Sequence, residues 1–312
     1  MIRPATKDDY VSIASVSQEA MPHNPLTEMQ LHSREHSLAP TGKMGYLVYE
    51  TDGKIIGFAN YMQWADLYNP HSFHITVQVH PQHQQQGIGT ELYATLADEL
   101  LKHNAMMFKS SIYADDTGAK AFSEKYGFAE YSRRIESSCD LTTFDPDKHK
   151  PLLDKLTNDG VVFRVLADII DEDTLREIYE LQWSLELDVP MEETLTKRSY
   201  QQWYTEQFEG ESACSEASIV ATKDGKYAGL ASVNKLSDTT LYAEFTGTRP
   251  HFRRLGLATA MKILMMQEGK TLGFTSIRTT NDAVNAGMLA LNDKLGFIPK
   301  PARIQIEKIM TD

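Results

Sequence analysis

Two short strings of residues, far apart in the chain, have the types and spacing to bind a phosphate. Gln84-Gln85-Gln86-Gly87-Ile88-Gly89 and Arg253-Arg254-Leu255-Gly256-Leu257-Ala258 each follow a strand-like stretch and a proline, and each opens a helix-like run. Such a turn leaves several backbone N–H groups unpaired and aligned at the positive end of a helix, which is how a backbone holds an anion. Gly87 and Gly256 let the backbone approach the anion, Gly89 and Ala258 are small for the same reason, and Thr90 and Thr259 complete the two cradles. Val79, in the strand before the first turn, belongs to the same candidate set, and Arg253 and Arg254 add charge to the second turn. No third glycine stands at Leu92, as a dinucleotide fingerprint requires, and neither turn has the Gly-Lys-Ser/Thr ending of a triphosphate loop. Hydride transfer and triphosphate hydrolysis are therefore disfavoured. One such string alone reads equally well as a tight helix entry.

The two strings are in register. Pro81 and Pro250 precede them, and Gly127-Phe128 and Gly296-Phe297 close the segments that follow; 250 − 81, 256 − 87 and 297 − 128 all equal 169. A constant offset between separated landmarks marks an internal repeat, here of domain length. A chain of 312 residues has room for two cores. Its net charge of −12 argues against nucleic-acid or anionic-membrane binding, since both draw most of their affinity from a basic footprint. Cys139 and Cys214 make neither a disulfide framework nor a paired-cysteine metal signature, and the ten histidines show no metal spacing. With no apolar signal core at the N-terminus and no apolar run near ~20 residues, the expected setting is a reducing cytosol.

The elements that must position these turns repeat as well. In the first half, residues 2–5 read as a strand and Tyr10, Ile13, Ala14 and Ser17 as a helix stripe. Residues 45–61 read as a hairpin around Asp52-Gly53, 73–80 as a strand, 90–103 as a helix, 107–113 as a strand and 117–125 as a helix. The second half gives a strand over 161–166, a helix over 173–187 and a hairpin around Asp224-Gly225. A strand over 239–248, a helix over 257–267, a strand over 276–280 and a helix over 283–295 follow. The polar, proline-bounded Asp145–Pro151 stretch is the expected boundary between domains 1–145 and 146–312.

This order of elements, the Gln/Arg-x-x-Gly-x-Gly/Ala turn after a strand and the closing Gly-Phe resemble the GNAT superfamily of acetyl-CoA-dependent N-acetyltransferases, over both halves. The strings Phe245-Thr246-Gly247-Thr248-Arg249-Pro250 and Arg278-Thr279-x-Asn281-x-x-x-Asn285-x-x-Met288-Leu289-x-x-Asn292 are similar to a bacterial tandem group of that superfamily. The resemblance implies an α/β (α+β) chain of two tandem domains, each a mixed, mostly antiparallel sheet flanked by helices. It implies that acetyl-CoA, as co-substrate, lies where the strand before each turn splays from its neighbour, with its pyrophosphate on 253–259 or on 84–90. Backbone N–H groups near Thr246, Gly247 and Thr248 would hold the thioester carbonyl, and Asn281 and Asn285 would touch the cofactor arm.

Transfer needs a neutral amine, so a base or a water chain to one is expected. Glu244 is the candidate, because strand alternation puts it on one face with Thr246; it reads equally as a solvated carboxylate or a partner of Arg253. The position aligned with it in the first half is Ile75. The tyrosine that the family often uses to protonate the leaving thiolate is replaced by Ser123 and Asn292. Asn292 is the residue at the catalytic position of the second half, with stiffening of the last helix as its other reading. Asp188, in Asp188-Val189-Pro190, falls where acceptor sites receive a mobile loop and would hold a cationic amine, or else ends a helix. Trp183, Trp203 and Tyr204 read as core or as pocket lining. The expected protein is a cytosolic, monomeric or homodimeric N-acetyltransferase of a small-molecule amine, with the second half catalytic. A peptide or protein N-acetyltransferase and a non-catalytic CoA-binding or dimerisation module are the alternatives.

Overall fold

The computed structural model describes residues 1–22, 25–65, 67–189 and 195–310. By contacts the chain divides into two units: residues 1–131 and 304–310 belong to one, and 132–189 and 197–303 to the other. Each unit is therefore completed by a strand from the opposite half of the sequence.

The first unit opens with β1 (Ile2–Pro4), α1 (Tyr10–Ala20) and α2 (Glu28–Ser33), followed by β2 (Met44–Thr51) and β3 (Lys54–Met62). The Asp-Gly hairpin forms as expected, with Asp52 and Gly53 both at positive φ, the backbone of a primed turn. β4 (Ser72–Val79), α3 (Ile88–Leu101), β5 (Met107–Tyr113) and α4 (Thr117–Lys125) follow. Leu92, Leu96 and Leu100 of α3 are fully buried against Phe73, Ile75 and Phe108 of the sheet. On the other face, Ile13 and Val16 of α1 meet Val48 and Phe58.

β6 (Ala129–Asp140) carries the chain into the second unit, where α5 (Lys150–Asn158), β7 (Val161–Val165), α6 (Glu172–Glu186) and α7 (Tyr200–Tyr204) follow. Then come β8 (Ile219–Lys223), β9 (Lys226–Ser237), β10 (Thr240–Thr248), α8 (Leu257–Thr271), β11 (Ser276–Asp282), α9 (Ala286–Lys294) and β12 (Ile298–Pro299). The sheet runs β7-β8-β9-β10-β11-β6, antiparallel except for the parallel pair β10–β11. α8 packs Leu257, Met261 and Met265 on one face, and α6 packs Leu181 and Leu185 on the other. The last strand, β13 (Arg303–Ile309), returns to the first unit, whose sheet runs β1-β2-β3-β4-β5-β13, with β4 and β5 parallel.

Neither β6 nor β13 serves the half of the sequence that encodes it. A chain that stops at residue 302 loses the buried Ile304, Gln305 and Ile306. Burial of each isoleucine contributes about 1.5–3 kcal/mol, so this truncation is expected to destabilise the first unit, seen as faster amide exchange in β5 while β8 and β9 stay protected. Equal exchange in β5 of the full and truncated chains would contradict the exchange.

Candidate functional site

In both units the strand before the glycine turn leaves its parallel neighbour. β4 pairs with β5 only from Ser72 to His74, and β10 with β11 only from Thr240 to Tyr242. A hydroxyl from the fifth strand marks the start of each opening: Ser110 Oγ donates to Ile75 O at 2.9 Å, and Thr279 Oγ1 to Ala243 O at 3.0 Å. Beyond these points one edge of β4 and of β10 has no strand partner among the described residues, so its N–H and C=O groups are available to a ligand.

The turns at the ends of these strands have one geometry. Gln85 and Gly87 have φ of 59° and 90°, and Arg254 and Gly256 have 64° and 96°. The first side chain of each turn bonds back to the preceding strand: Gln84 Nε2 donates to Val79 O at 3.0 Å, and Arg253 Nε to Thr248 O at 3.2 Å. α4, α6 and α9 are capped by the side chains of Asp116, Asp171 and Asn285, whereas α3 and α8 start at Gly87 and Gly256 without a side-chain cap. The first N–H groups of Ile88–Gly89–Thr90 and Leu257–Ala258–Thr259 thus point out of the helix, where the dipole favours an anion. Gln86 is used within its turn, donating to Gln82 O at 3.3 Å, and Leu255 is exposed.

The two openings differ in what surrounds them. β4 runs in unbroken register along β3, but β10 bulges against β9 between Ala243 and Phe245. The bulge breaks the alternation on which the placing of Glu244 beside Thr246 rested. Phe245 turns into the cluster of Leu185, Leu230 and Trp203 on the α6 side, whereas the Thr248 side chain borders Gly229 on the face where Met261 of α8 also lies. Gly247 lies against Phe245 and Leu185, where an added Cβ would come within 2.6 Å of the phenyl ring. Glu244 is fixed at the bulge: Asn234 Nδ2 donates to its Oε2 at 2.9 Å, and Arg198 Nη1 lies 3.7 Å from its Oε1. Arg198 also meets Glu186 at 2.9 Å and Glu206 at 2.6 Å, so three carboxylates share this arginine. A narrow recess beside them is lined by Tyr179, Trp183, Glu186, Lys197, Arg198 and Trp203. Trp203 is core: it is 1 % exposed and its indole N–H donates to Gln182 Oε1 at 2.8 Å.

Asp188 stands at the phosphate turn, where its Oδ2 accepts from Arg253 Nη2 at 2.6 Å; Pro190, next to it in the expected loop, lies outside the described residues. Glu244 is therefore not the partner of Arg253. Asn285 Oδ1 caps α9 by accepting from Met288 N at 3.2 Å, the role that Asp116 has in the first unit. Asn292 is 2 % exposed and bridges two elements: its Oδ1 accepts from Lys262 Nζ at 2.5 Å and its Nδ2 donates to Asn281 Oδ1 at 2.7 Å. Lys262 and Arg198 were not legible as site residues, the first because a lysine within a helical run reads as solvated, the second because its three partners are dispersed in sequence.

Each unit thus has a parallel strand pair that parts beside a helix start with no side-chain cap. The chain belongs to the acetyltransferase (GNAT) family, which it matches over residues 11–128 and 173–297. It is similar in structure to a GCN5-related N-acetyltransferase from Sphaerobacter thermophilus (TM-score 0.76, 17 % identity, 99 % of this chain and 95 % of that one). It is likewise similar to a tandem GNAT protein from the clavulanic acid biosynthesis pathway (TM-score 0.77, 17 % identity, 100 % and 99 %). A putative acetyltransferase from Pyrococcus horikoshii aligns at TM-score 0.53 and 16 % identity, over 100 % and 89 %. No curated protein matches the chain in sequence. The protein is a tandem GNAT acyltransferase. Among the described residues no helix is long and apolar enough to cross a membrane.

Two substitutions test the turns. Gly256→Val forces a β-branched residue to a φ of 96° and drives its Cβ to 3.0 Å from Leu152, so acetyl-CoA binding is expected to fall more than tenfold. Gly87→Val, at a φ of 90°, strains its turn as well, but is expected to leave most binding intact if the second unit is the principal site; calorimetric titration of both variants decides. Asp188→Asn releases an exposed ion pair with Arg253, worth about 0–1 kcal/mol. Acetyl-CoA affinity should then rise up to about fivefold at low salt, and a fall would contradict a competition between Asp188 and phosphate.

Proposed function

We propose that the protein is an acetyl-CoA-dependent N-acetyltransferase of a small-molecule amine, and that the second of two family domains, 1–145 and 146–312, carries the reaction. The observation that supports this most is the combination, found only in β10 among the two cofactor strands, of an open edge with a bulge that carries a carboxylate. β4 has the open edge, an unbroken register with β3, and Ile75 at the aligned position.

In this reading the acetyl-CoA pyrophosphate lies on the N–H groups of 254–259, with Arg253 and Arg254 at its flank. The arm lies along the open edge of β10 from Thr246 to Thr248, where backbone N–H groups meet the thioester oxygen. The amine nitrogen attacks the thioester carbon, the carbon–sulfur bond breaks, the amine gives up a proton and the thiolate gains one. Glu244 takes the amine's proton, directly or through water, while Asn234 and Arg198 hold its carboxylate. A thiol with a pKa of about 8.5 leaves without a dedicated acid, which fits Asn292 in place of the tyrosine. The acceptor approaches from the side of Glu244, near the recess lined by Trp183 and Glu186, whose one carboxylate is shared with Arg198. The cytosol as compartment and a monomer or homodimer as working form belong to the same proposal and rest on the sequence.

Incubation with acetyl-CoA and a panel of amines, with thiol release as the readout, separates the readings. Turnover with small amines supports the proposal; acceptance of peptides alone makes the protein a peptide N-acetyltransferase, and binding without turnover makes it a CoA-binding module. Glu244→Gln is expected to keep acetyl-CoA affinity and to lower kcat by about 10²–10⁴-fold, with wild-type kcat removing Glu244 from the mechanism.

A further inference from the structure

Lys262, on α8 shortly after the phosphate turn, is 1 % exposed. Burial alone acts on its charge, with no carboxylate at hand, and pushes its pKa down to about 7. Among the described residues its amine meets groups that do not titrate: Asn292 Oδ1 at 2.5 Å, and the face of Phe297 with the ring centre at 4.8 Å. An amine kept in a core without a counter-ion costs stability that an apolar residue of equal volume would recover, so packing does not explain it.

The hydrogen bonds around it have a direction. An ammonium group carries three donors and no acceptor, so it requires Asn292 to present its oxygen, and the Asn292 NH2 group must then face away. That NH2 donates at 2.7 Å to Asn281 Oδ1, which in turn leaves the Asn281 amide nitrogen facing outward. Asn281 stands on β11 beyond Arg278, the last residue of that strand paired with β10, and so on the stretch where the two strands have parted. At the aligned places the first half has Tyr93, Ser123 and Ile112, which cannot form such a chain: the Tyr93 hydroxyl meets Lys308 and Ser123 bonds back to Lys120 O.

We propose that Lys262 is a positioning residue that sets the direction of the Lys262–Asn292–Asn281 chain, so that Asn281 offers N–H donors, not a carbonyl, to the acyl-CoA lying between β10 and β11. The ligand group that this fits is a carbonyl oxygen of the arm or of the thioester itself. The inference rests on the reading of the opening as an acyl-CoA site. When Lys262 loses its proton its nitrogen gains a lone pair, and the direction is no longer compelled.

The test uses the full chain. Lys262→Met is expected to fold and melt no lower than wild type, to shift the side-chain amide NMR signals of Asn281 and Asn292 in the ligand-free protein, and to weaken acetyl-CoA binding about tenfold. KM for acetyl-CoA should rise with it while kcat changes little. Asn292→Asp is the second variant: the carboxylate pairs with Lys262 and holds the fold, but it accepts only, so Asn281 must turn its NH2 inward and binding should weaken as much. In wild type, affinity should fall several-fold between about pH 6 and about pH 8.5, and this slope should be absent in Lys262→Met, a difference that a purely structural lysine would not produce. Unmoved amide signals together with wild-type affinity in Lys262→Met would overturn the role of Lys262 alone. Absence of acetyl-CoA binding by wild type would overturn the acyl-CoA reading and this inference together.

Discussion

Everything functional in this chain depends on one broken pairing: β10 and β11 run side by side through Tyr242 and Arg278 and then part. An interior strand that gives up a neighbour exposes backbone donors and acceptors within a sheet, and such groups are costly unless something satisfies them. Thr279 satisfies the first, Ala243 O, with its hydroxyl. The remainder of the edge, up to Thr248, is where the proposed function lays an extended ligand that carries amides of its own. The phosphate turn sits directly beyond that edge, held in place by the Arg253 hydrogen bond to Thr248 O. Thus one departure of one strand creates, in the proposed function, both the slot for an arm and the cradle for the phosphates at its end.

The second unit adds three features to this shared frame: the bulge that presents Glu244, the paired Asp188 and Arg253, and the Lys262–Asn292–Asn281 chain. Each is polar, and each has an apolar or differently used counterpart in the first unit. The duplicated fold therefore reads as one scaffold with an elaborated copy and a plainer one. With β6 and β13 exchanged, neither half of the sequence holds all the strands of its own sheet.

The parts of this that could be read from the residues are those governed by local rules. Asp-Gly turns, proline before a glycine turn, and apolar stripes on helices all act within a few residues, and the hairpins, α3, α8 and the phosphate turns lie where those rules put them. The bulge at Glu244 was hidden because one extra residue in a strand changes neither composition nor apparent alternation; only the partner strand reveals it. Lys262 was hidden because a helix face is assigned by its majority, and Met261 and Ile263 beside it are equally buried, so α8 is enclosed on nearly every side. The destinations of β6 and β13 were hidden because strand pairing across such separations is set by the assembled sheet and not by any nearby residue. Asn285, which the resemblance sets beside the cofactor arm, also has a local role that its neighbours do not announce: its oxygen caps α9.

The central claim is that the backbone at the start of α8, next to the parted strands, is where acetyl-CoA binds. Site-resolved amide exchange with and without acetyl-CoA tests this without depending on the acceptor or on turnover. The account predicts slowed exchange at residues 254–259 and at 246–248, with a smaller effect, or none, at 85–90. Slowed exchange confined to 85–90, or absent from both turns at saturating acetyl-CoA, would contradict it.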